Sequence, residues 1–122
     1  MILVDSCGWL EYLSDGKRAE AYAAAVKDVA NLLVPTVCIY EVFRKLLTER
    51  GEDAALTAAA AMTMGRVVDL TLPVALVAAR IGTDHKIPFA DSVILATARA
   101  HAARVYTQDG HFRGLSDVEF IE

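Results

Sequence analysis

Short apolar runs alternate with longer amphipathic stretches along this chain. Residues 1–4 (MILV), 31–34 (NLLV), 66–70 (RVVDL) and 104–107 (RVYT) are brief runs rich in branched side chains and read as strands, and residues 118–121 (VEFI) read as an edge strand. Helical periodicity fills the gaps. Trp9, Tyr12 and Leu13 share one face; residues 17–29 are alanine-rich; residues 36–50 follow Pro35 and stop at Gly51, a natural C-terminal cap. Glu52 and Asp53 place negative charge at the start of a further alanine-rich helix that ends near Gly65. Pro73 and Pro88 precede the last two helices, the second predicted over residues 90–102, and Gly82-Thr83-Asp84 is expected to interrupt the first. High helix propensity and small contact faces explain the alanine runs without a repeat. Short strands joined by helical crossovers predict an α/β fold with a parallel sheet covered by helices on both sides.

Composition and charge narrow the classes. A chain of 122 residues, read as one domain over residues 1–122, is long enough to bury roughly two-thirds of its unfolded surface. At 55% hydrophobic and 23% charged, it has the make-up of a core-forming protein rather than a disordered one. The apolar start runs into Asp5 after four residues, too short for a signal peptide or a membrane span, so a cytoplasmic protein with no membrane partner is expected. Cys7 and Cys38 show no metal-binding or redox spacing and read as reduced packing residues. The net charge of −4 argues against broad, charge-driven nucleic-acid binding, so any such substrate must be held locally by small basic groups.

Four acids stand where elements begin, turn or end. Asp5 follows the first strand and Asp109 follows the fourth by two residues, which puts both at the carboxyl edge of a parallel sheet, where such folds place their sites. Asp91 lies near the start of the last helix, within about 60° of Ile94, Leu95 and Ala98 at 100° per residue, so it begins an inward face. Glu41 behaves differently. Ile39, Tyr40, Val42, Phe43, Leu46 and Leu47 form the apolar arc of its helix, and Glu41 lies opposite, where periodicity predicts solvent exposure and a pairing with Lys45. Separately, Asp5 and Asp91 also fit as helix caps, and Asp109-Gly110 fits as a turn. Brought together, carboxylates from remote segments are how proteins hold hard divalent cations. Two of them about 5 Å apart repel by ~3 kcal/mol at an effective dielectric near 20, and a cation offsets that repulsion.

These positions sit in four stretches, ILVDSCGWLEYL, IYEVFRKLL, IPFADSVILATARAH and VYTQDGHF, whose order and spacing resemble the PIN-domain ribonucleases, in particular the VapC-type toxins of toxin–antitoxin systems. The resemblance implies a three-layer α/β/α domain with a mainly parallel central sheet and a metal-dependent endoribonuclease activity on RNA. By motif position, Asp5, Glu41, Asp91 and Asp109 correspond to the family's acidic quartet, which holds one or two Mg²⁺ or Mn²⁺ ions. This assigns Glu41 to the site against its helical periodicity. Ser6 and Thr107 match small hydroxyl positions and are expected to orient a carboxylate or a bound water. Arg44, Lys45 and Arg113 are the candidates for substrate phosphates, whereas His85, His101 and His111 read as surface or loop residues. The implied partners are a second copy of the chain in a homodimer and a cognate VapB-type antitoxin, whose basic side chain would neutralise the same acids. The apolar helix faces of residues 36–64 are candidate surfaces for either.

Departures from the family pattern are Ser92, where many relatives carry alanine, and Gly82. Two other classes stay open on sequence alone. A phosphoacceptor receiver domain would use Asp69 in VVDLTLP, although no paired acids precede it and no late lysine follows an apolar strand. A non-catalytic interaction module on the same scaffold would need none of the acids for chemistry.

Overall fold

Five parallel strands in the order β3-β2-β1-β4-β5 form the centre of the computed structural model, which describes residues 1–122. The strands are β1 (Ile2–Val4), β2 (Leu32–Pro35), β3 (Arg66–Val68), β4 (Arg104–Thr107) and β5 (Val118–Phe120). Six α-helices flank them: α1 (Ser6–Leu13), α2 (Ala19–Lys27), α3 (Thr36–Arg50), α4 (Glu52–Met62), α5 (Leu72–His85) and α6 (Phe89–Ala100). Crossovers between parallel strands are right-handed. The steps from β1 to β2 and from β2 to β3 run one way across the sheet and the step from β3 to β4 runs back, so their helices cover opposite faces. This is the three-layer α/β/α arrangement, with β5 at the edge as predicted. The sheet is wholly rather than mainly parallel.

The chain reverses its direction of travel across the sheet between β1 and β4. That pair therefore opens the crevice in which doubly wound sheets place their sites. Its register sets Val4 beside Tyr106, and the Asp5 amide continues the ladder by donating to the Tyr106 carbonyl at 3.0 Å. Beneath the crevice the central strands are fully buried: Leu3, Val4, Leu32, Leu33, Val34 and Val105 have no exposure, and Trp9, Tyr22 and Phe112 fill the space around them.

Two expectations need correction. Gly82 does not interrupt α5, which runs unbroken to His85; its role is close approach, since a Cβ there would lie 2.8 Å from the Ser92 Oγ of α6. Ser92, the other departure, turns that hydroxyl back onto the Pro88 carbonyl at 2.8 Å, so the two unusual residues meet at one helix contact. The buried stripe of α3 is also misread by periodicity. It runs through Val42 and Leu46, as predicted, and through Cys38, which puts its centre about 80° around the helix from that of the predicted arc at 100° per residue, while Tyr40 and Leu47 are 61% and 44% exposed. Asp69 lies exposed just beyond β3, an edge strand, far in the sheet order from the β1/β4 crevice; this does not suit a phosphoacceptor.

Helix α1 carries Ser6 and Cys7 into the crevice and is seated by a glycine. A Cβ on Gly8 would meet Tyr22 Cε1 at 2.5 Å and Val4 Cγ1 at 2.9 Å, both on buried side chains. The overpacking cost of about 1–3 kcal/mol outweighs the ~1 kcal/mol that alanine gains over glycine in a helix. Gly8→Ala is therefore expected to lower the urea midpoint of unfolding; an unchanged or raised midpoint would show that α1 is not held by this contact.

Candidate metal centre

Local structure delivers each acid for its own reason. Asp5 caps α1: its Oδ1 accepts from the Ser6 amide at 2.7 Å, and its extended backbone (φ −64°, ψ 159°) is that of an N-cap. Asp109 caps the short 3₁₀ turn Gly110–Phe112 by accepting from the His111 amide at 3.0 Å. Asp91 sits in the first turn of α6, where the helix dipole favours a negative charge, and it is 92% buried from solvent along with the seven residues that follow it. Glu41, in the second turn of α3, is half-buried beside the stripe it borders.

Hydrogen bonds and close polar contacts join the four acids into one network. Ser6 Oγ donates to Glu41 Oε1 at 2.9 Å and lies 3.4 Å from Asp5 Oδ1, so one hydroxyl links two acids. Thr107, fully buried at the end of β4, donates through Oγ1 to Asp5 Oδ2 at 2.8 Å and accepts from the Asp109 amide at 3.0 Å. His111 Nδ1 lies 2.9 Å from Asp91 Oδ2 and 3.2 Å from Asp109 Oδ1. The path from Glu41 through Ser6, Asp5, Thr107, Asp109 and His111 ends at Asp91. The structure thus brings Asp5, Glu41, Asp91, Asp109, Ser6 and Thr107 together, including the glutamate that periodicity placed in solvent.

Sequence reasoning missed two members. His111, read as a surface or loop residue, is exposed but bridges two carboxylates. Its only signal was its place two residues after Asp109, at the end of an Asx-type turn. Cys7, read as packing, places its thiol 3.3 Å from both Asp5 Oδ2 and Thr107 Oγ1. Burial and then the nearby Asp5 charge push that thiol up to about 12, so it is a neutral donor rather than a nucleophile. The basic candidates lie further out. Arg44 and Lys45 share a concavity of about 410 Å³ with Glu41, and Lys45 also pairs with Glu49 at 3.7 Å. Arg113 is turned aside, bonded to Glu122 at 2.7 Å and stacked 4.0 Å over the Phe120 ring.

Crowding the acids has an electrostatic cost. Burial raises Asp5 above the ordinary carboxylate range, opposed by hydrogen bonds from Thr107, Cys7 and Ser6 and aided by the Asp109 charge. Burial likewise raises Glu41, with Asp5 and Asp109 adding repulsion against the Ser6 bond. Asp91 is pushed up to about 6, by burial first and then by Asp109 and Asp5. Four carboxylates gathered in this way, short of compensating charge, fit a hard divalent cation. Asp91, Asp109 and His111 each offer a ligand atom within 4.8 Å of the others.

Carboxyls raised in the fold bind protons that the unfolded chain has released, so their contribution to stability is present below about pH 4 and is lost as pH rises through about 6 for Asp91. In EDTA, the wild-type melting temperature is expected to fall between pH 5 and pH 7 more steeply than that of Asp91→Asn. Excess Mg²⁺ or Mn²⁺ should reduce the loss at pH 7. Equal slopes for the two proteins would remove Asp91 as a strained carboxyl.

Comparison with known proteins places the chain in a family. The sequence profile of the PIN domain matches residues 2–118. No curated protein sequence matches the chain. Among solved structures, VapC20 from Mycobacterium tuberculosis, described as a Sarcin-Ricin loop cleaving toxin, superposes with a TM-score of 0.83 at 24% identity over 100% of both chains. A toxin-antitoxin complex from Klebsiella pneumoniae gives 0.81 at 20% identity, covering 100% of this chain and 98% of that one. VapBC2 from Rickettsia felis, bound to a DNA fragment from their promoter, gives 0.77 at 11% identity over 100% of both. At such identities the structural likeness is one of fold. It agrees with a profile that spans the elements carrying all four acids, and the chain belongs to the PIN-domain family.

Proposed function

We propose that this chain is a metal-dependent endoribonuclease that hydrolyses RNA phosphodiester bonds as the toxin of a toxin–antitoxin pair. The observation that carries the reading is the single network of hydrogen bonds and close polar contacts that joins acids from the end of β1, from α3, from the start of α6 and from the end of β4. Asp5, Glu41, Asp91 and Asp109 hold Mg²⁺ or Mn²⁺, as one or two ions. When bound, such a cation supplies Lewis acidity, neutralising developing phosphoryl charge and lowering the pKa of water.

The remaining residues bind and orient. Ser6 holds the Glu41 and Asp5 carboxylates in register across two helices, and Thr107 fixes Asp5 while anchoring the turn that bears Asp109. Arg44 and Lys45 line the concavity next to Glu41 and contact backbone phosphates there, giving an acidic protein the local positive charge it needs. Arg113 joins them only by leaving Glu122, at little cost for a pair so exposed. A VapB-type antitoxin restrains the enzyme; the neighbours described as toxin-antitoxin and VapBC complexes support a partner of that kind. The substrate is met in the cytoplasm; separately, no helix is long and apolar enough to cross a membrane. The exposed apolar side chains Tyr40, Leu47 and Leu56 of α3 and α4, and Leu72, Leu76 and Phe89 around α5, suit a homodimer or antitoxin contact.

Asp5→Asn and Asp91→Asn are each expected to cut RNA cleavage by more than about a hundredfold, beyond the usual loss for an outer-shell partner, with the circular dichroism spectrum intact. EDTA should abolish cleavage by the wild type and added Mn²⁺ should restore it. Unchanged cleavage by both variants, or full activity in excess EDTA, would falsify the nuclease reading. Light scattering after size exclusion is expected to give twice the 13.2 kDa chain mass; a monomer at high concentration would remove the homodimer.

A further inference from the structure

His111 enters the centre from a place that explains its precision. It lies in the turn after β4, between Asp109, whose carboxylate accepts its amide, and Phe112, which is fully buried in the core. The ring is thereby positioned from both sides although its side chain is 55% exposed. One ring nitrogen, Nδ1, faces Asp91 Oδ2 at 2.9 Å and Asp109 Oδ1 at 3.2 Å, on two different elements.

A single N–H donates one well-aligned hydrogen bond, so an exposed histidine serving only as a surface partner needs one acid. Here a nitrogen and two carboxylate oxygens converge instead. Neighbouring ligands of one octahedral ion, at bonds of about 2.1 Å and right angles, are separated by about 3.0 Å. The two distances from Nδ1 are close to that length, so the ring nitrogen stands where one ion could be shared with both carboxylates.

We propose that His111 is a nitrogen ligand of the metal centre and that it biases the site toward transition ions such as Mn²⁺ over Mg²⁺. The inference rests on the metal-binding role proposed above for the four acids. Mg²⁺ keeps to oxygen donors and surrenders its water reluctantly, so an imidazole adds little to its binding. Divalent transition ions accept imidazole readily, and their affinity for a mixed nitrogen and oxygen set rises along the series that begins with Mn²⁺. The deprotonated quartet alone would discriminate weakly between the two; His111 is the one nitrogen donor in the network.

The test uses the full chain, stripped with EDTA, titrated calorimetrically with Mn²⁺ and separately with Mg²⁺. His111→Ala and His111→Asn remove the nitrogen lone pair from an exposed position, and the asparagine retains a polar side chain. Both are expected to weaken Mn²⁺ binding by about tenfold or more, at least the usual loss for an outer-shell partner, and Mg²⁺ binding by less than about threefold. Pulsed electron paramagnetic resonance of the Mn²⁺-loaded wild type should show coupling to a directly bound ¹⁴N, absent in both variants. An unchanged ratio of Mn²⁺ to Mg²⁺ affinity, or no ¹⁴N coupling in the wild type, would overturn the role of His111 while leaving the acids as ligands. Mn²⁺ binding that Asp91→Asn does not weaken would overturn the metal-site reading itself, and the His111 proposal with it.

Discussion

Burial of several carboxylates close enough to repel one another is the constraint around which this crevice is built. Ion-sized charges forced together in a half-buried site need compensation, and the fold supplies only part of it. Asp5 receives donors from the Ser6 amide, Thr107 and Cys7; Glu41 receives one from Ser6; Asp91 and Asp109 share a single histidine. Burial nevertheless wins at Asp5, Glu41 and Asp91, all of which stay above the ordinary carboxylate range. A divalent cation has the charge and the donor preference that would offset what these residues leave uncompensated.

The parallel sheet makes that concentration of charge possible. Reversal of strand order between β1 and β4 opens a crevice at their carboxyl ends, and the register of the pair puts Asp5 beside Thr107. Thr107 has no exposure, so its hydroxyl must find partners, and the partners are the Asp5 side chain and the Asp109 backbone. The core beneath is rigid for the same reason: Leu3, Val4, Leu33 and Val34 leave no room for the strand ends to separate. Packing and electrostatics are thus coupled, with close-packed strands holding together groups that repel.

Much of this was legible in the sequence, and the exceptions share a cause. Strand-end positions announced Asp5 and Asp109, and an inward-facing carboxylate announced Asp91. Glu41 was legible only by family resemblance, because Tyr40 and Leu47 are apolar but exposed and turned the centre of the predicted stripe away from the side where Cys38 is buried beside Val42 and Leu46. Its partner, Ser6, belongs to another helix, which a helical wheel cannot include. His111 escaped for a similar reason: an exposed side chain in a loop carries no periodicity, and its function lies in two acids on different elements. Gly82 read as a helix breaker because its purpose, close contact with Ser92, is tertiary.

The central claim is that the four acids form one cation site. Anomalous diffraction from crystals soaked in Mn²⁺ addresses it most directly. The account predicts strong density enclosed by the carboxylates of Asp5, Glu41, Asp91 and Asp109, lost in Asp5→Asn. Ordered Mn²⁺ elsewhere on the surface, with that crevice filled only by water, would contradict it.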